Sequence, residues 1–289
     1  MTEFLNLLAQ GATIGGLYAL FAAGLSIVFG ILRLVNLAHG DMIILGAFTG
    51  HVVATAMGLG FIPALIIAPL LMGAFGYALQ RLLLNRLIGK DILPPLLVTF
   101  GLSMMIQNAL LLVFTADTQK IALGGIETAS VPLLPGVAVG SYALIVLAVA
   151  VVVIGGLHLL LMRTALGRTF RATADDAETA RQLGVRTPHV FGLATALALA
   201  ACGIAGVMLA VWTSFTPLAG STRLLIAFEV IVIGGIGSIW GTLLGGILLG
   251  LAQAIGGWIN PEWQMLAGHI AFLAVLVLMP GGLFAQGRR

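Results

Sequence analysis

Residues 163–186 read RTALGRTFRATADDAETARQLGVR and form the only long, strongly polar stretch of this 289-residue chain. The stretch holds five of the thirteen Lys and Arg residues and three of the ten Asp and Glu residues. Almost everything on either side of it is apolar. We interpret it as a short cytoplasmic helix between two transmembrane spans, through which another protein moves the membrane part.

The composition places the rest of the chain in lipid. It is 60% hydrophobic and only 8% charged, whereas a soluble domain carries roughly 25% charged residues. An apolar helix needs about 20 residues to cross the bilayer, so this length supplies many spans and little else. The sequence predicts an all-α, polytopic transmembrane helix bundle that forms a single domain over residues 1–289. No Lys or Arg precedes the first apolar run, which favours a retained first span over a signal peptide.

Nine apolar segments are candidate spans. They run approximately over residues 5–31, 38–57, 61–84, 92–115, 140–162, 188–213, 223–239, 241–258 and 263–281. Glycines interrupt the region 223–258, so it reads either as two spans or as one broken, partly re-entrant segment. The expected number of spans is therefore eight or nine.

Basic residues near span ends mark the cytoplasmic side. They occur in three groups, which are Arg81, Arg86 and Lys90; the five arginines of 163–186; and Arg288 with Arg289. The loop 116–139 is expected on the opposite, outer side. Nine crossings then place the N-terminus in the periplasm and the C-terminus in the cytoplasm.

Small residues recur every four positions in several spans, which places them on one helical face. The four stripes are Gly11, Gly15, Ala19 and Ala23; Gly46, Gly50, Ala54 and Gly58; Ala194, Ala198, Cys202, Gly206 and Ala210; and Ser238, Thr242, Gly246, Gly250 and Ala254. In lipid, such stripes let helices approach closely. They indicate a compact bundle rather than a particular activity.

Enzyme chemistry is poorly supported. The only two lysines, Lys90 and Lys120, lie outside any G-x-x-x-x-G-K-[ST] motif, and H-E-x-x-H and G-x-S-x-G motifs are absent. A single cysteine, Cys202, excludes an intramolecular disulfide. We expect no catalytic residue, no metal, no cofactor and no bound nucleic acid.

Three places within the apolar regions carry polar residues. Glu229 lies deep in LLIAFEVIVIGG, where a carboxylate is either functional or hydrogen-bonded at a helix seam. Asn36, His39, Gly40 and Asp41 interrupt the first inner turn, where Asn36 can cap a helix, His39 can pair with Asp41, or the group is simply a polar turn. The third place is GGIGSIWG at 234–241, where Ser238 can cap the following helix and the glycines Gly234, Gly235 and Gly237 allow a break.

The polar stretch itself predicts one short helix. Gly167 is expected to end the preceding apolar element, and Gly184 to follow the helix. Glu178 and Arg181 are spaced to pair on one face. A helix this short is marginal alone in water, which favours docking onto a partner over an isolated solvated helix.

Three motifs then resemble one family. They are N-L-A-H-G at 36–40 followed by Gly46–Ala47; G-R-x-x-R-A-x-A-D-D at 167–176 followed by A-x-x-L-G-V at 180–185; and G-G-I-G-S-x-x-G at 234–241. In this order, over essentially the whole chain, they resemble the permease subunits of branched-chain amino-acid ABC transporters, of the LivH type.

The resemblance implies a multi-pass protein of the bacterial inner membrane that imports a branched-chain or related amino acid. Its implied partners are a second related permease, two cytoplasmic ATPase subunits, and a periplasmic solute-binding protein. The segment 163–187 then becomes the ATPase-coupling segment, whose coupling residues are Gly167, Arg168, Arg171, Ala172, Asp175, Asp176, Ala180 and Gly184. The residues we place on a substrate path are Asn36, His39, Gly40, Glu229, Gly234, Gly235, Gly237 and Ser238.

Three alternatives remain open at this point. Similar permeases handle urea or short amides. An ion-coupled secondary transporter would use Glu229 or Asp41 as its carboxylate, and a passive channel would need no ATPase partner.

Overall fold

The computed structural model describes residues 2–89 and 93–284 of the chain. The basic residues Lys90, Arg288 and Arg289, used above to predict orientation, lie outside the described residues. Within them the protein is a bundle of eleven α-helices with one small β-hairpin. The helices are α1 (Thr2–Leu32), α2 (His39–His51), α3 (Phe61–Leu82), α4 (Leu93–Phe114), α5 (Ser141–Arg163), α6 (Ala165–Asp175), α7 (Ala177–Gln182), α8 (Thr187–Trp212), α9 (Gly220–Gly234), α10 (Ile239–Ile259) and α11 (Trp263–Leu278).

Nine of these helices match the nine predicted apolar segments, and the prediction of a polytopic helical bundle is confirmed. Six of the nine, among the described residues, are long and apolar enough to cross a membrane on their own, namely α1, α3, α4, α5, α8 and α10. The other three are shorter, with 13 residues in α2, 15 in α9 and 16 in α11. The predicted span 38–57 is not one regular helix, because α2 passes into a π-helical turn at Val52–Ala56.

Helix α1 lies at the centre of the bundle, and the predicted small-residue stripes are its packing seams. A Cβ added at Gly15 would meet the backbone of Gly246 and Ile247 on α10. Gly46 of α2 is equally close to Cys202 and Gly203 of α8. Close approach of this kind supplies the van der Waals contact that holds helices together in lipid.

The two ends of the bundle differ in chemistry. At one end, the Asn85 side chain donates to the carbonyl of Pro188 (3.2 Å), so the basic end of α3 lies beside the start of α8. At the other end, the loop 116–139 pairs with the end of α8 through Gln119 and Phe215. The loop also contains an antiparallel hairpin, β1 (Ser130–Leu134) and β2 (Val137–Gly140), which the all-helical prediction did not include.

Candidate functional site

Helix α2 begins inside the bundle, so the polar group at 36–41 is more than a simple polar turn between two spans. Arg33 has a positive φ of 51°, and the chain turns back after α1. His39, the first residue of α2, then hydrogen-bonds through Nε2 to the carbonyl oxygen of Phe21 (2.9 Å) and is fully buried. Phe21 lies about 16 Å before the end of α1 at the rise of an α-helix.

The predicted pair of His39 and Asp41 does not form. Asp41 instead accepts a hydrogen bond from Nε2 of Gln107 on α4 (3.0 Å), while His39 faces α1. The two side chains diverge because residues two apart point to different sides of a helix. Gln107 is a partner that the sequence analysis missed, since an amide in an apolar run gives no charge signal.

The expectation that Asn36 caps α2 is also wrong. Its Oδ1 accepts from the backbone N–H of Ala38 (3.0 Å), which closes a turn just before the helix. Ala38 is the N-cap residue and provides no side-chain acceptor. Asn36 is nonetheless buried, and it lines an apolar cavity of about 410 Å³ together with Phe29, Leu224 and Phe228.

The first turns of α2 and α9 touch through glycine. A Cβ at Gly40 would meet the carbonyl of Gly220, and a Cβ at Gly220 would meet the carboxylate of Asp41. Two helix N-termini, each a partial positive charge, therefore converge near one buried carboxylate. The first turn of α2 is thus fixed against α1, α4 and α9 at once.

Glu229 forms a separate polar cluster with a residue that sequence reasoning passed over. Its Oε1 pairs with Nδ1 of His269 on α11, while its Oε2 has no partner among the described residues. On the same side, the Tyr18 hydroxyl donates to Oε1 of Gln253 (2.6 Å), and Gln253 lies against Gly268. The alternative that Glu229 is hydrogen-bonded at a helix seam therefore holds for one of its two carboxylate oxygens.

The break between α9 and α10 confirms two sequence predictions. Helix α9 ends at Gly234, Gly235 and Gly237 have positive φ values of 98° and 82°, and α10 begins at Ile239. Ser238 caps α10 by accepting from the N–H of Gly241 (3.1 Å). The two helices then fold against each other, so that Gly234 and Gly241 leave no room for a side chain between them.

The polar stretch forms two helices where one was expected. Asp176 separates α6 from α7 and is the N-cap of α7, accepting from the N–H groups of Glu178 (2.9 Å) and Thr179 (3.0 Å). The hydroxyl of Thr179, followed by its backbone N–H, holds the pKa of Asp176 below the ordinary value for an aspartate. The Glu178–Arg181 pair is present at 2.7 Å and exposed.

Gly167 does not end α5, contrary to expectation. Helix α5 ends at Arg163, Thr164 caps α6, and Gly167 lies inside α6. A Cβ at Gly167 would meet the carbonyls of Leu160 and Leu161, so glycine lets α6 fold tightly against the end of α5. Arg171 reinforces this corner because its guanidinium donates to the carbonyl of Leu161.

The remaining residues predicted to couple divide between an anchored face and an exposed face. Ala180 is buried against the bundle, as is its neighbour Phe170, with 4% and 2% of their surface exposed. Arg168, Ala172 and Asp175 are exposed. Gly184 has a positive φ of 90° and ends the segment as predicted.

The predicted path residues lie in three places and not in one pocket. Asn36, His39 and Gly40 surround the start of α2, and Glu229 faces α11. The α9–α10 break contains Gly234, Gly235, Gly237 and Ser238. The sequence missed His269, Gln107 and the Tyr18–Gln253 pair. Only His269 carried a usable signal, as a titratable residue in the apolar run LAGHIAF.

Comparison with known proteins gives a family match over most of the chain. Residues 7–278 match the family described as branched-chain amino acid transport system / permease component. The chain is 30% identical to the high-affinity branched-chain amino acid transport system permease protein BraD of Pseudomonas aeruginosa, covering 98% of this chain and 96% of that protein.

Two related proteins come from Escherichia coli. Permease protein LivH is 28% identical over 98% of this chain and 96% of its own length. Permease protein LivM is 27% identical over 96% of this chain and 70% of its own length. No solved structure matches the chain.

Proposed function

The chain belongs to the family of branched-chain amino-acid transport system permease components, and from this premise we propose that it is the membrane-spanning subunit of an ABC importer. ATP is hydrolysed on separate subunits, and their movement reaches this chain through the coupling segment 163–187. The proposal extends to the bacterial inner membrane as its location. It also names a second related permease, two ATPase subunits and a periplasmic binding protein as partners.

The geometry of α6 and α7 is the observation that carries this proposal. One face of the two helices is anchored in the bundle by Phe170 and Ala180, and the other presents charge to the surroundings. Arg171 ties α6 to the end of α5, and the segment leads directly into α8. A push on the exposed face is therefore transmitted to two long helices, α5 and α8.

The proposed orientation follows from where the charges lie. Arg81 and Arg86 lie near the start of α8 and so share one end of the bundle with α6 and α7. The loop 116–139 and the first turns of α1 share the other end, where the Asn6 side chain donates to the carbonyl of Gly136 (2.9 Å). By the positive-inside rule we place the first end in the cytoplasm and the N-terminus in the periplasm.

A branched-chain amino acid fits the cavity beside Asn36. Its lining is almost wholly apolar, with Asn36 and Ser221 as polar exceptions, and aliphatic side chains gain about 25 cal/mol per Å² of surface buried there. Urea or a short amide would need more hydrogen-bonding groups than this lining offers. His39 and Gly40 act in this proposal by holding the adjoining helix starts in place.

Charge reversal on the exposed face tests the coupling role. In proteoliposomes that hold the complete importer, we expect Arg168→Glu and Asp175→Lys to reduce stimulation of ATP hydrolysis by the solute-loaded binding protein at least tenfold. The control is Glu262→Lys, an exposed reversal at the opposite end of the bundle, which should retain stimulation. Normal stimulation and uptake in both coupling variants would rule out this role for the segment.

A second candidate, ion-coupled transport, is favoured by the buried pair of Glu229 and His269, whose second carboxylate oxygen lacks a partner among the described residues. It predicts uptake that survives ATP depletion and disappears when the proton gradient is dissipated. The proposed importer predicts the reverse. Glu229→Gln separates the two further, because it would abolish ion-coupled uptake but only weaken the link between α9 and α11.

A further inference from the structure

A mixed polar and apolar cavity of about 300 Å³ lies between the coupling segment and the α9–α10 break. Its walls come from α1, α5, α6 and the start of α10. The volume is at the lower end of the range found for small-molecule sites in proteins. Arg171, Asp175, Gly237 and Ser238 line it, but no role proposed above places a ligand in the cavity.

The lining contains one positive and one negative side chain that do not neutralise each other. Arg171 and Asp175 are four residues apart and therefore lie on one face of α6, and both line the cavity. Among residues 2–89 and 93–284 they form no ion pair, and the Arg171 guanidinium bonds there to the carbonyl of Leu161 and the sulfur of Met162 alone. A guanidinium has five N–H donors, so several remain for a ligand.

The wall formed by α1 supplies an unpaired hydroxyl. Ser26 is 1% exposed, lines the cavity, and its Oγ has no hydrogen-bond partner among the described residues. A buried hydroxyl without a partner has lost its hydrogen bonds to water and gained none in return, which is unfavourable. Such a group is typical of a site whose partner arrives with a ligand.

The rest of the lining is mainly apolar and aromatic, with His158 and the helix-capping Ser238 as its polar members. Trp240 lies 5.8 Å from the ring of His158, centroid to centroid, and Ile27 and Phe170 complete the apolar surface. A ligand that fits this site has a carboxylate for Arg171, an ammonium for Asp175 and an aliphatic body. A lipid phosphate satisfies Arg171 but is repelled by Asp175.

We propose that this cavity binds an apolar α-amino acid on the side of the membrane where the coupling segment lies. The proposal rests on the importer function proposed above, since it makes the imported product a regulator. An amino acid here lies between α6, α1 and the α9–α10 break. Gly30 and Gly237 are neighbours at this point, since a Cβ built on Gly30 would lie 3.5 Å from the Cα of Gly237. The amino acid holds α6 against the bundle, so the coupling segment follows the ATPases less freely and transport slows as product accumulates.

The test uses the complete importer in proteoliposomes with the ATPase side facing out and solute-loaded binding protein sealed inside. L-leucine added outside should lower the stimulated ATP hydrolysis at least threefold. Ser26→Ala should raise the concentration for half-inhibition about tenfold, the usual effect of losing one hydrogen bond to a charged group. The alanine variant leaves no partner unsatisfied and removes a costly buried hydroxyl, so it should be at least as stable as the wild type.

Matched controls separate this site from general effects. Thr13→Val also removes a buried hydroxyl from α1, but Thr13 bonds to the carbonyl of Gln10 and lies away from the cavity, so inhibition should be unchanged. Isopentylamine and 4-methylpentanoate each lack one of the required groups, and inorganic phosphate lacks both the ammonium and the aliphatic body. All three should act at least tenfold more weakly than leucine. Equal inhibition by phosphate, or by vesicles enriched in anionic lipid, would identify an anion site and overturn the proposal.

Failure of the inference differs from failure of the importer function. Intact stimulation with no leucine inhibition, or with inhibition that Ser26→Ala does not change, overturns the amino-acid site alone. Absent stimulation removes the importer function, and the site is then judged by fluorescence. In that measurement leucine should change the emission of Trp240, an effect lost in Trp240→Phe and weakened in Ser26→Ala, and no change would overturn the site.

Discussion

Removal of the Asp176 carboxylate should loosen α7 without disturbing the bundle. Asp176 accepts from two backbone N–H groups, those of Glu178 and Thr179, which are among the unsatisfied donors of the first turn. Loss of such a cap lowers the ratio of ordered to frayed helix by a factor of roughly five.

The length of α7 makes the effect visible. The helix has six residues and one buried side chain, Ala180, and helices shorter than about 12 residues are marginal without support. We expect Asp176→Ala to raise amide hydrogen exchange over 177–182 about fivefold. Asp176→Asn should stay near the wild-type rate, because asparagine caps helices about as well as aspartate.

The assay is hydrogen exchange of the assembled importer in nanodiscs, with ATP hydrolysis measured on the same samples. The low pKa of Asp176 means that the carboxylate cap is complete above the ordinary aspartate value of about 3.9 and is lost only as the pH falls through the lowered folded value. Measurement near neutral pH is therefore free of titration at this group. Wild-type exchange in Asp176→Ala, or equal acceleration in Asp176→Asn, would refute the capping explanation.

Three further predictions concern the bundle. A double-mutant cycle with Glu229→Gln and His269→Ala should give a coupling free energy of about 1–2 kcal/mol for unfolding in mixed micelles. This exceeds the average of about 0.6 kcal/mol for polar pairs in membranes because the carboxylate is buried. A coupling near zero would contradict the prediction. Gly206→Val should abolish stable expression, since its Cβ meets backbone of α2, whereas Gly101→Val, with no atom within 4 Å of its Cβ, should express normally in a fluorescence size-exclusion assay. Ser238→Ala should cost about 1 kcal/mol of unfolding free energy through loss of the α10 cap, and an unchanged melting temperature would contradict that role.

The positions of the nine apolar helices were predictable because lipid imposes one requirement on all of them. A helix that faces lipid must satisfy its own backbone and present apolar side chains, and both features are visible in hydropathy. The small-residue stripes were equally readable, since spacing of four defines a face whatever the partner. The sequence could not show which stripe packs against which. That Gly15 packs against Gly246 is seen only in the three-dimensional structure.

The errors occurred where tertiary contacts override local pattern. Asn36 looked like a helix cap and His39 like a partner of Asp41, but the chain re-enters the bundle, buries both and gives them other partners. Gly167 looked like a helix terminator, yet it serves close packing inside α6. Glycine and short polar residues have several uses, and only the neighbouring elements decide among them.

The seam between α9 and α10 is made of backbone on backbone, with Gly234 facing Gly241 and Gly245 facing the carbonyl of Val230. Most helix pairs interlock side-chain ridges with grooves, so one helix moves past another only after rotamers on both have rearranged. Here few rotamers need to change. A slide or rotation of α9 over α10 by a fraction of a helical turn therefore meets a low barrier, and the α9–α10 pair is a place where the bundle can rearrange without repacking its side chains.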